Sequence, residues 1–439
     1  MSMTNLKRDM TLADVVALGI SAAMGVSIFS VVAPAAAVAG PAMLVSLAAA
    51  SVPMVVFAIV YSFMNSAMPR TGSSYAWPAQ FIHPFAGFLI CWLRIVGCAG
   101  GLHIMATVFA AYLSRLVDLP TIPVMIAVVT FAFLTNLLGA STVGRVARVL
   151  VIVKLVVLTS FIVFGLPQVK AASFTPFAPF GLLGIFAALP VLVSLYTGIE
   201  SAAEAGEEIK DSRRVMKTGL AIATAVGLII YLGTAVVTIG TLGSPATAIS
   251  NAPLSDAAAR FGGPWVMPAM IVTALLSVAA AMNALMLVFA RFLFAMGRDN
   301  VLPPAFARLN KKFGTPHVAI IVAYASALIG LVLPQDLLFL FLAANLPTML
   351  KYGANCVAAI RLIRFHPELQ QNADFGFGAA AMTRWAIGGV ICSVVMLVAG
   401  TSADWRPYAL LFGWAAVGVV YWFVRGRRGS IILSTPNRR

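Results

Sequence analysis

Two stretches of this sequence place small and polar residues in the middle of long apolar runs. The first is GISAAMGVSIF at 19–29, and the second, about 175 residues later, is SLYTGIES at 194–201. Non-helical backbone at membrane depth is tolerated only where it lines a cavity or is buried in protein. The unwound peptide groups of such a pair would face a small ligand, and the start of a half-helix suits a carboxylate. The candidate binding residues are Ser21, Ala22, Gly25, Val26, Ser27, Tyr196, Thr197, Gly198 and Glu200.

Glu200 and Lys154 are the intramembrane charges with the clearest chemical roles. Glu200 follows the second interruption, where it could meet a ligand ammonium, hold the unwound segment through backbone N–H groups, or take up a proton. Lys154 stands in mid-span within VLVIVKLVVL. A buried ammonium there would act as a proton carrier or as a fixed positive charge, and the alternative is a lysine that snorkels to the interface. We therefore take Lys154 and Glu200 as the candidate coupling residues.

Arg94 and Lys351 are further charges inside apolar runs. Such residues face the bundle interior and pair with something, so we expect ion pairs with Glu200 or Glu204. The alternative is that one of the two cations binds a second acidic group of the ligand, which would favour anionic ligands.

Arg94 and Lys351 are secondary candidates for the site, together with three uncharged positions. His103 is either a titrating group or a hydrogen-bonded structural histidine, and Asn283 and Asn345 either line the cavity or bond a neighbouring helix. Tyr196 could cover a bound ligand with its ring, or serve only in packing.

The composition shows what kind of elements must hold these residues. Of 439 residues, 61% are hydrophobic and only 10% are charged, whereas soluble domains carry roughly 25% charged residues. The mean hydropathy is +0.98 over the whole length, which excludes a soluble globular protein. The four cysteines all fall inside apolar runs and are interpreted as buried thiols.

Runs of about 20 apolar residues predict membrane-spanning helices, and we find twelve of them. The expected fold is an all-α polytopic membrane protein whose first and sixth spans are broken, with two inverted repeats that meet at a binding site. The predicted spans are 13–38, 42–67, 84–115, 121–139, 144–166, 180–208, 215–241, 265–297, 316–333, 337–363, 383–401 and 405–424. They group into an N-terminal segment 1–12, a first repeat 13–166, a second repeat 180–363, a helix pair 383–424 and a basic tail 425–439.

The positive charge is distributed very unevenly between the two sides of the membrane. With twelve spans, 22 of the 29 Lys and Arg residues fall on one side and 4 on the other, and Arg94, Lys154 and Lys351 lie inside spans. Lys and Arg concentrate on cytoplasmic loops, so both termini are expected in the cytoplasm. This placement explains the net charge of +15 without nucleic acid.

Four stretches resemble the amino acid–polyamine–organocation superfamily, the amino acid permeases. They are GISAAMGVSIF (19–29), PRTGSSYAW (69–77), YTGIESAAEAGEEIKDSRR (196–214) and RFLFAMGRDNVLPPAFARLNKKFGTP (291–316). The resemblance implies a LeuT-like five-plus-five inverted repeat with spans eleven and twelve peripheral. It also implies that Lys154 stands where sodium-coupled relatives hold an ion. GIESA at 198–202 is similar to the branch that exchanges amino acids for amines, and Ser27 replaces the second glycine of the family pattern.

The expected function is secondary transport of amino acids across the inner membrane by alternating access. We expect no sodium requirement, and coupling to protons or to a counter-substrate. The alternatives are a transporter of decarboxylated amines or polyamines, an amino acid/amine antiporter and, in a different class, a membrane channel. No HExxH, GxSxG or phosphate-cradling pattern occurs in the sequence, so we expect no enzyme activity, no cofactor and no metal.

Overall fold

The computed structural model describes residues 8–24, 27–250, 252–263, 266–331, 337–371, 373, 376–401 and 405–425. Within these ranges the chain is helical and forms no β-strand. The α-helices, numbered in chain order, are α1 Leu12–Ala23, α2 Ser27–Ser30, α3 Val32–Ala39, α4 Met43–Ala67, α5 Ser73–Phe81, α6 Pro84–Leu113, α7 Thr121–Leu137, α8 Ala140–Gly165, α9 Gly181–Val193, α10 Ser212–Leu242, α11 Ser244–Ile249, α12 Pro253–Ala258, α13 Val266–Arg298, α14 His317–Gly330, α15 Leu337–Phe365, α16 Pro367–Gln371, α17 Ala379–Thr401 and α18 Arg406–Val424. Short 3-10 helices cover Gly40–Ala42, Leu166–Gln168, Ala171–Phe174, Ile199–Glu204, Gly206–Glu208 and Pro304–Ala307.

Seven helical stretches in the described part of the chain are long and apolar enough to cross a bilayer. They are Val32–Ala67, Pro84–Leu113, Arg148–Gln168, Ser212–Leu242, Val266–Arg298, Ala379–Val398 and Arg406–Val424. A helix rises 1.5 Å per residue, so about 20 residues cross a hydrocarbon core of about 30 Å. These stretches make the chain a polytopic membrane protein. The count of twelve spans and the inverted repeat stay predictions.

The sixth predicted span is interrupted. Its α-helix, α9, ends at Val193, next to the break at 194–201 that the sequence predicted within the span 180–208. Turns follow at 194–198, and two 3-10 helices then carry the chain to Glu208. In the first predicted span, α1 ends at Ala23 and the next helix begins at Ser27. Gly25 and Val26, between them, lie outside the described residues.

Burial within the chain separates a central helix from peripheral ones. In α13, 83% of the most apolar window is buried, against 22% in each of the last two spans, Ala379–Val398 and Arg406–Val424. Helix α13 packs against α1, α6 and α8, and α6 also packs against α15. Helix α13 is therefore surrounded mostly by protein, whereas most residues in the apolar windows of α17 and α18 are not buried within the chain.

Candidate functional site

A cavity of about 120 Å³ lies beside the interrupted sixth span. Its walls come from α1, α6, α13 and α15 and from the turn and first 3-10 residues at 194–201. These elements are far apart in the sequence, so the cavity exists only in the folded bundle.

Each long helix contributes one face to the wall. The lining residues recur at intervals of three or four, which places them on a single side of a helix. From α6 they are Arg94, Gly97, Cys98, Gly101, Ile104 and Met105, from α13 they are Ala281, Leu285 and Val288, and from α15 they are Ala344, Asn345, Thr348 and Lys351. The α13 face is wholly apolar, and the charged groups on these three faces are Arg94 of α6 and Lys351 of α15.

The interruption brings bare backbone against α1. Gly198 has φ +104°, a left-handed conformation that side chains with a Cβ rarely adopt. A Cβ added there would lie 3.0 Å from the Cβ of Ala22. Gly198 and Ala22, both predicted binding residues, therefore touch each other and share the cavity wall with Thr197 and Glu200.

Glu200 is the carboxylate of this wall, and it is buried. Its Oε2 accepts a hydrogen bond from the backbone N–H of Gly198 at 3.2 Å. Its Oε1 lies 2.5 Å from the Nζ of Lys351, which donates to it across from α15. The predicted ion pair is confirmed, and it joins the interrupted segment to α15.

The ammonium of Lys351 also faces aromatic rings. It lies 4.3 Å from the ring centre of Tyr352 and 5.6 Å from that of Tyr61. The Tyr352 ring stacks on Phe57 at 4.5 Å between ring centres, and the Tyr61 ring packs edge-on against Trp77 at 5.4 Å. These neighbours pack against the two tyrosines, whose rings lie close to the ammonium that Glu200 binds.

Arg94 forms the second pair expected from the sequence. Its Nη1 lies 3.1 Å from Oε1 of Glu204, one turn beyond Glu200, and both side chains are buried. Ser74 donates its backbone N–H and its hydroxyl to the same carboxylate. The PRTGSSYAW stretch thereby wraps onto the segment after the interruption.

The pairing continues toward the end of that segment. Arg291 binds Glu208 through two hydrogen bonds of 2.6 and 3.0 Å in a buried site. Arg298 meets Glu207 at 3.1 Å, where both side chains are partly exposed. Beside them, burial raises the pKa of the Asp299 carboxyl above its ordinary value. Each carboxylate between residues 200 and 208 thus has a cationic partner.

Lys154 contacts the end of α1 at the first interruption and does not line the cavity. It is fully buried, and its Nζ donates to the carbonyl of Met24 at 3.2 Å. Ser277 donates to the same carbonyl. Met24 follows the last residue of α1, and the end of a helix carries partial negative charge. The ammonium therefore stabilises the bare carbonyl that the interruption exposes.

Besides Lys154, four predicted residues do not line the cavity. Ser21 is buried within α1. Tyr196 packs edge-on against Tyr231 and donates its hydroxyl to the carbonyl of Leu47 at 3.0 Å. His103 bonds the carbonyl of Gly330 through Nδ1, and Asn283 accepts hydrogen bonds from Thr135 and Asn136 of α7. Polar contacts between neighbouring helices account for the last two.

Three more predicted positions fall where little can be described. Gly25, Val26 and the side chain of Ser27 lie outside the described residues. Sequence reasoning missed the lining residues of α6 other than Arg94, and those of α13. The signal on α6 was the spacing itself, because Gly97, Cys98 and Gly101 share the face of Arg94.

Comparison with known proteins gives a consistent result. A sequence model of an amino acid permease family matches residues 10–404. A methylthioribose transporter of Bacillus subtilis is 25% identical, and the alignment covers 98% of this chain and 95% of the relative. A branched-chain amino acid permease of the same organism is 26% identical, with 97% and 94% covered. An aspartate–proton symporter, also of Bacillus subtilis, is 26% identical over 73% of this chain and 66% of the relative.

Proposed function

The chain belongs to the amino acid permease family, and on that premise we propose that it carries amino acids across the cytoplasmic membrane by alternating access. The substrate binds in the cavity between the interrupted sixth span, α1 and α6. Both termini lie on the cytoplasmic side, as the distribution of Lys and Arg indicates.

One observation supports this function above the others. Thr197, Gly198 and Glu200 leave regular helix beside Ala22 and line a cavity inside the bundle. Unwound backbone in such a place supplies N–H and C=O groups that can bind the α-amino and α-carboxyl groups of a small solute. The end of α1 at Ala23 and Met24 would supply the second half of that site.

We further propose that transport needs no sodium and that Lys154 is the coupling residue. Its ammonium holds the Met24 carbonyl at the end of α1. A cation at that place leaves no need for a bound metal ion, and its loss of a proton would release α1. Coupling is then to protons, or to a counter-substrate in an exchange cycle.

The experiment is uptake by the purified chain in proteoliposomes. The panel holds leucine, aspartate, lysine and methylthioribose, which cover neutral, acidic, basic and sugar-like solutes. Uptake of at least one amino acid that continues when sodium is replaced by choline is the expected result. Uptake of methylthioribose alone, or an absolute need for sodium, contradicts the proposal.

Counterflow separates a carrier from a channel. An alternating carrier takes up labelled substrate faster when the vesicles contain unlabelled substrate, because the return step is then loaded. We expect this acceleration. A channel would show no acceleration, because its pore conducts without a return step.

A further inference from the structure

The ammonium of Lys351 occupies a site built like those that bind ammonium ligands. It lies 2.5 Å from a carboxylate oxygen of Glu200 and 4.3 Å from the ring centre of Tyr352, with the ring of Tyr61 at 5.6 Å. A carboxylate combined with aromatic faces is a common way to hold an alkylammonium group. Here the cation belongs to the protein itself.

The same pair determines the charge available to a substrate. Lys351 and Glu200 both line the cavity, and their side chains are only 2% and 5% exposed. Among the described lining residues Glu200 is the only carboxylate, and the other lining cation, Arg94, is paired with Glu204. A substrate side chain of either sign would therefore have to break an existing ion pair.

The rest of the wall suits an apolar side chain. Ile104 and Met105 of α6 and Leu285 and Val288 of α13 all line the cavity. Burial of an apolar group against them is favourable. A charged group in the same place would lose its hydration without gaining a partner.

We propose that Lys351 is a resident counter-ion that fills the ammonium site beside Glu200, so that the transporter takes neutral amino acids with apolar side chains and rejects cationic ones. This inference rests on the proposed function and names its substrate class. It makes Lys351 a specificity-determining residue, and it disfavours amines and polyamines as substrates of the wild-type chain.

The first test removes the resident cation. In Lys351→Ala, Glu200 loses its partner and a space opens between Glu200 and the two tyrosine rings. We expect the ratio of lysine uptake to leucine uptake to rise by about tenfold or more, since a charged hydrogen bond becomes available to the substrate. The double variant Glu200→Gln with Lys351→Ala has no carboxylate there and should lose this gain.

Three results would overturn the inference. They are wild-type uptake of lysine as fast as that of leucine, a folded Lys351→Ala variant whose uptake ratio is unchanged, and a gain that survives in the double variant. The comparison of lysine and leucine uptake by the wild-type chain needs no variant, so it tests the inference even if Lys351→Ala does not fold. Lys351→Met, which keeps most of the side-chain volume, provides a second variant.

A binding measurement tests the ammonium site without transport. Lysine differs from alanine by a propylammonium fragment, so n-propylammonium should raise the unfolding temperature of detergent-solubilised Lys351→Ala. Potassium chloride at the same concentration controls for ionic strength. The wild-type chain, whose site is full, should not respond. No stabilisation of the variant, or equal stabilisation of both proteins, would contradict a resident ammonium.

The two proposals can fail separately. If the wild-type chain takes up no amino acid, the proposed function is wrong, and the n-propylammonium measurement still decides the role of Lys351. If leucine is taken up but lysine competes with it equally, the transport function holds and the role given to Lys351 is wrong.

Discussion

The two interruptions of this bundle are stabilised by opposite means. At the first, the Met24 carbonyl at the end of α1 accepts hydrogen bonds from the ammonium of Lys154 and the hydroxyl of Ser277. At the second, the unwound segment itself carries the charge, and each carboxylate from Glu200 to Glu208 meets a cation from another part of the chain.

This difference separates two tasks. A single carbonyl that accepts hydrogen bonds from two side chains can exchange one donor for another at little cost, so the first interruption suits a reversible switch. Four ion pairs spread over nine residues are costly to break together, because the three pairs of Glu200, Glu204 and Glu208 are buried and each of their charges would lose its partner. The second interruption therefore behaves as a fixed frame, and its pairs tie it to α6, α13 and α15.

The strongest test of this contrast is Arg291→Met. It leaves the carboxylate of Glu208 buried and unpaired, and loss of one partner of a buried pair costs about 3–5 kcal/mol. We expect a large fall in the unfolding temperature in detergent. The matched control is Arg298→Met, whose pair with Glu207 is partly exposed. That change should cost about 1 kcal/mol or less.

Equal losses in the two arginine variants would contradict the fixed frame, since burial would then make no difference. A stability of Arg291→Met close to that of the wild type would do so as well. Chemical unfolding followed by tryptophan fluorescence measures both variants under one set of conditions.

Gly198→Ala tests the close contact between the frame and α1. The alanine backbone must keep φ near +104°, and the new Cβ would lie 3.0 Å from the Cβ of Ala22. We expect a loss of about 2–3 kcal/mol from strain and crowding together. Gly181→Ala is the control, because Gly181 also has a positive φ, +59°, but no atom lies within 4 Å of its added Cβ.

The control should therefore lose about 1–2 kcal/mol, from strain alone, and should keep its uptake. If both variants lose the same stability and the same uptake, close packing at Gly198 has no role.

Lys154→Met tests the switch assigned to the first interruption. The Met24 carbonyl keeps Ser277 as a donor, so stability should change little, but the charge that we propose couples α1 to protons is gone. We expect uptake driven by a proton gradient to fall about tenfold, equivalent to 1.4 kcal/mol, and its dependence on pH to flatten. Lys170→Met removes an exposed lysine and serves as the control. Full uptake with an unchanged pH profile in Lys154→Met would contradict the assignment.

Sequence reasoning reached the helical class, the interruption after Val193 and the existence of the ion pairs of Arg94 and Lys351. It could do so because an intramembrane charge must find a partner whichever way its helix turns. It could not assign which carboxylate each cation meets, nor which polar residues face the cavity. His103 and Asn283 bond neighbouring helices instead, because the rotation of a helix about its axis depends on contacts that are distant in sequence.

Tyr196 provides the finest test, since its sequence position beside Gly198 suggested a cover for the substrate. In the structure its hydroxyl bonds the Leu47 carbonyl and its ring packs on Tyr231, outside the lining residues. Tyr196→Phe should cost about 1 kcal/mol of stability, the worth of one hydrogen bond, and leave the KM for leucine within about twofold.

Tyr231→Phe is the matched comparison for Tyr196→Phe, because its hydroxyl bonds the Leu195 carbonyl, a group of the interruption itself. A similar stability loss in both variants, with KM unchanged, places both tyrosines in the frame that supports the site. A several-fold rise in KM for Tyr196→Phe alone would mean that its hydroxyl reaches the substrate in another state of the cycle. The second interruption would then move as we propose for the first, and the contrast between frame and switch would be lost.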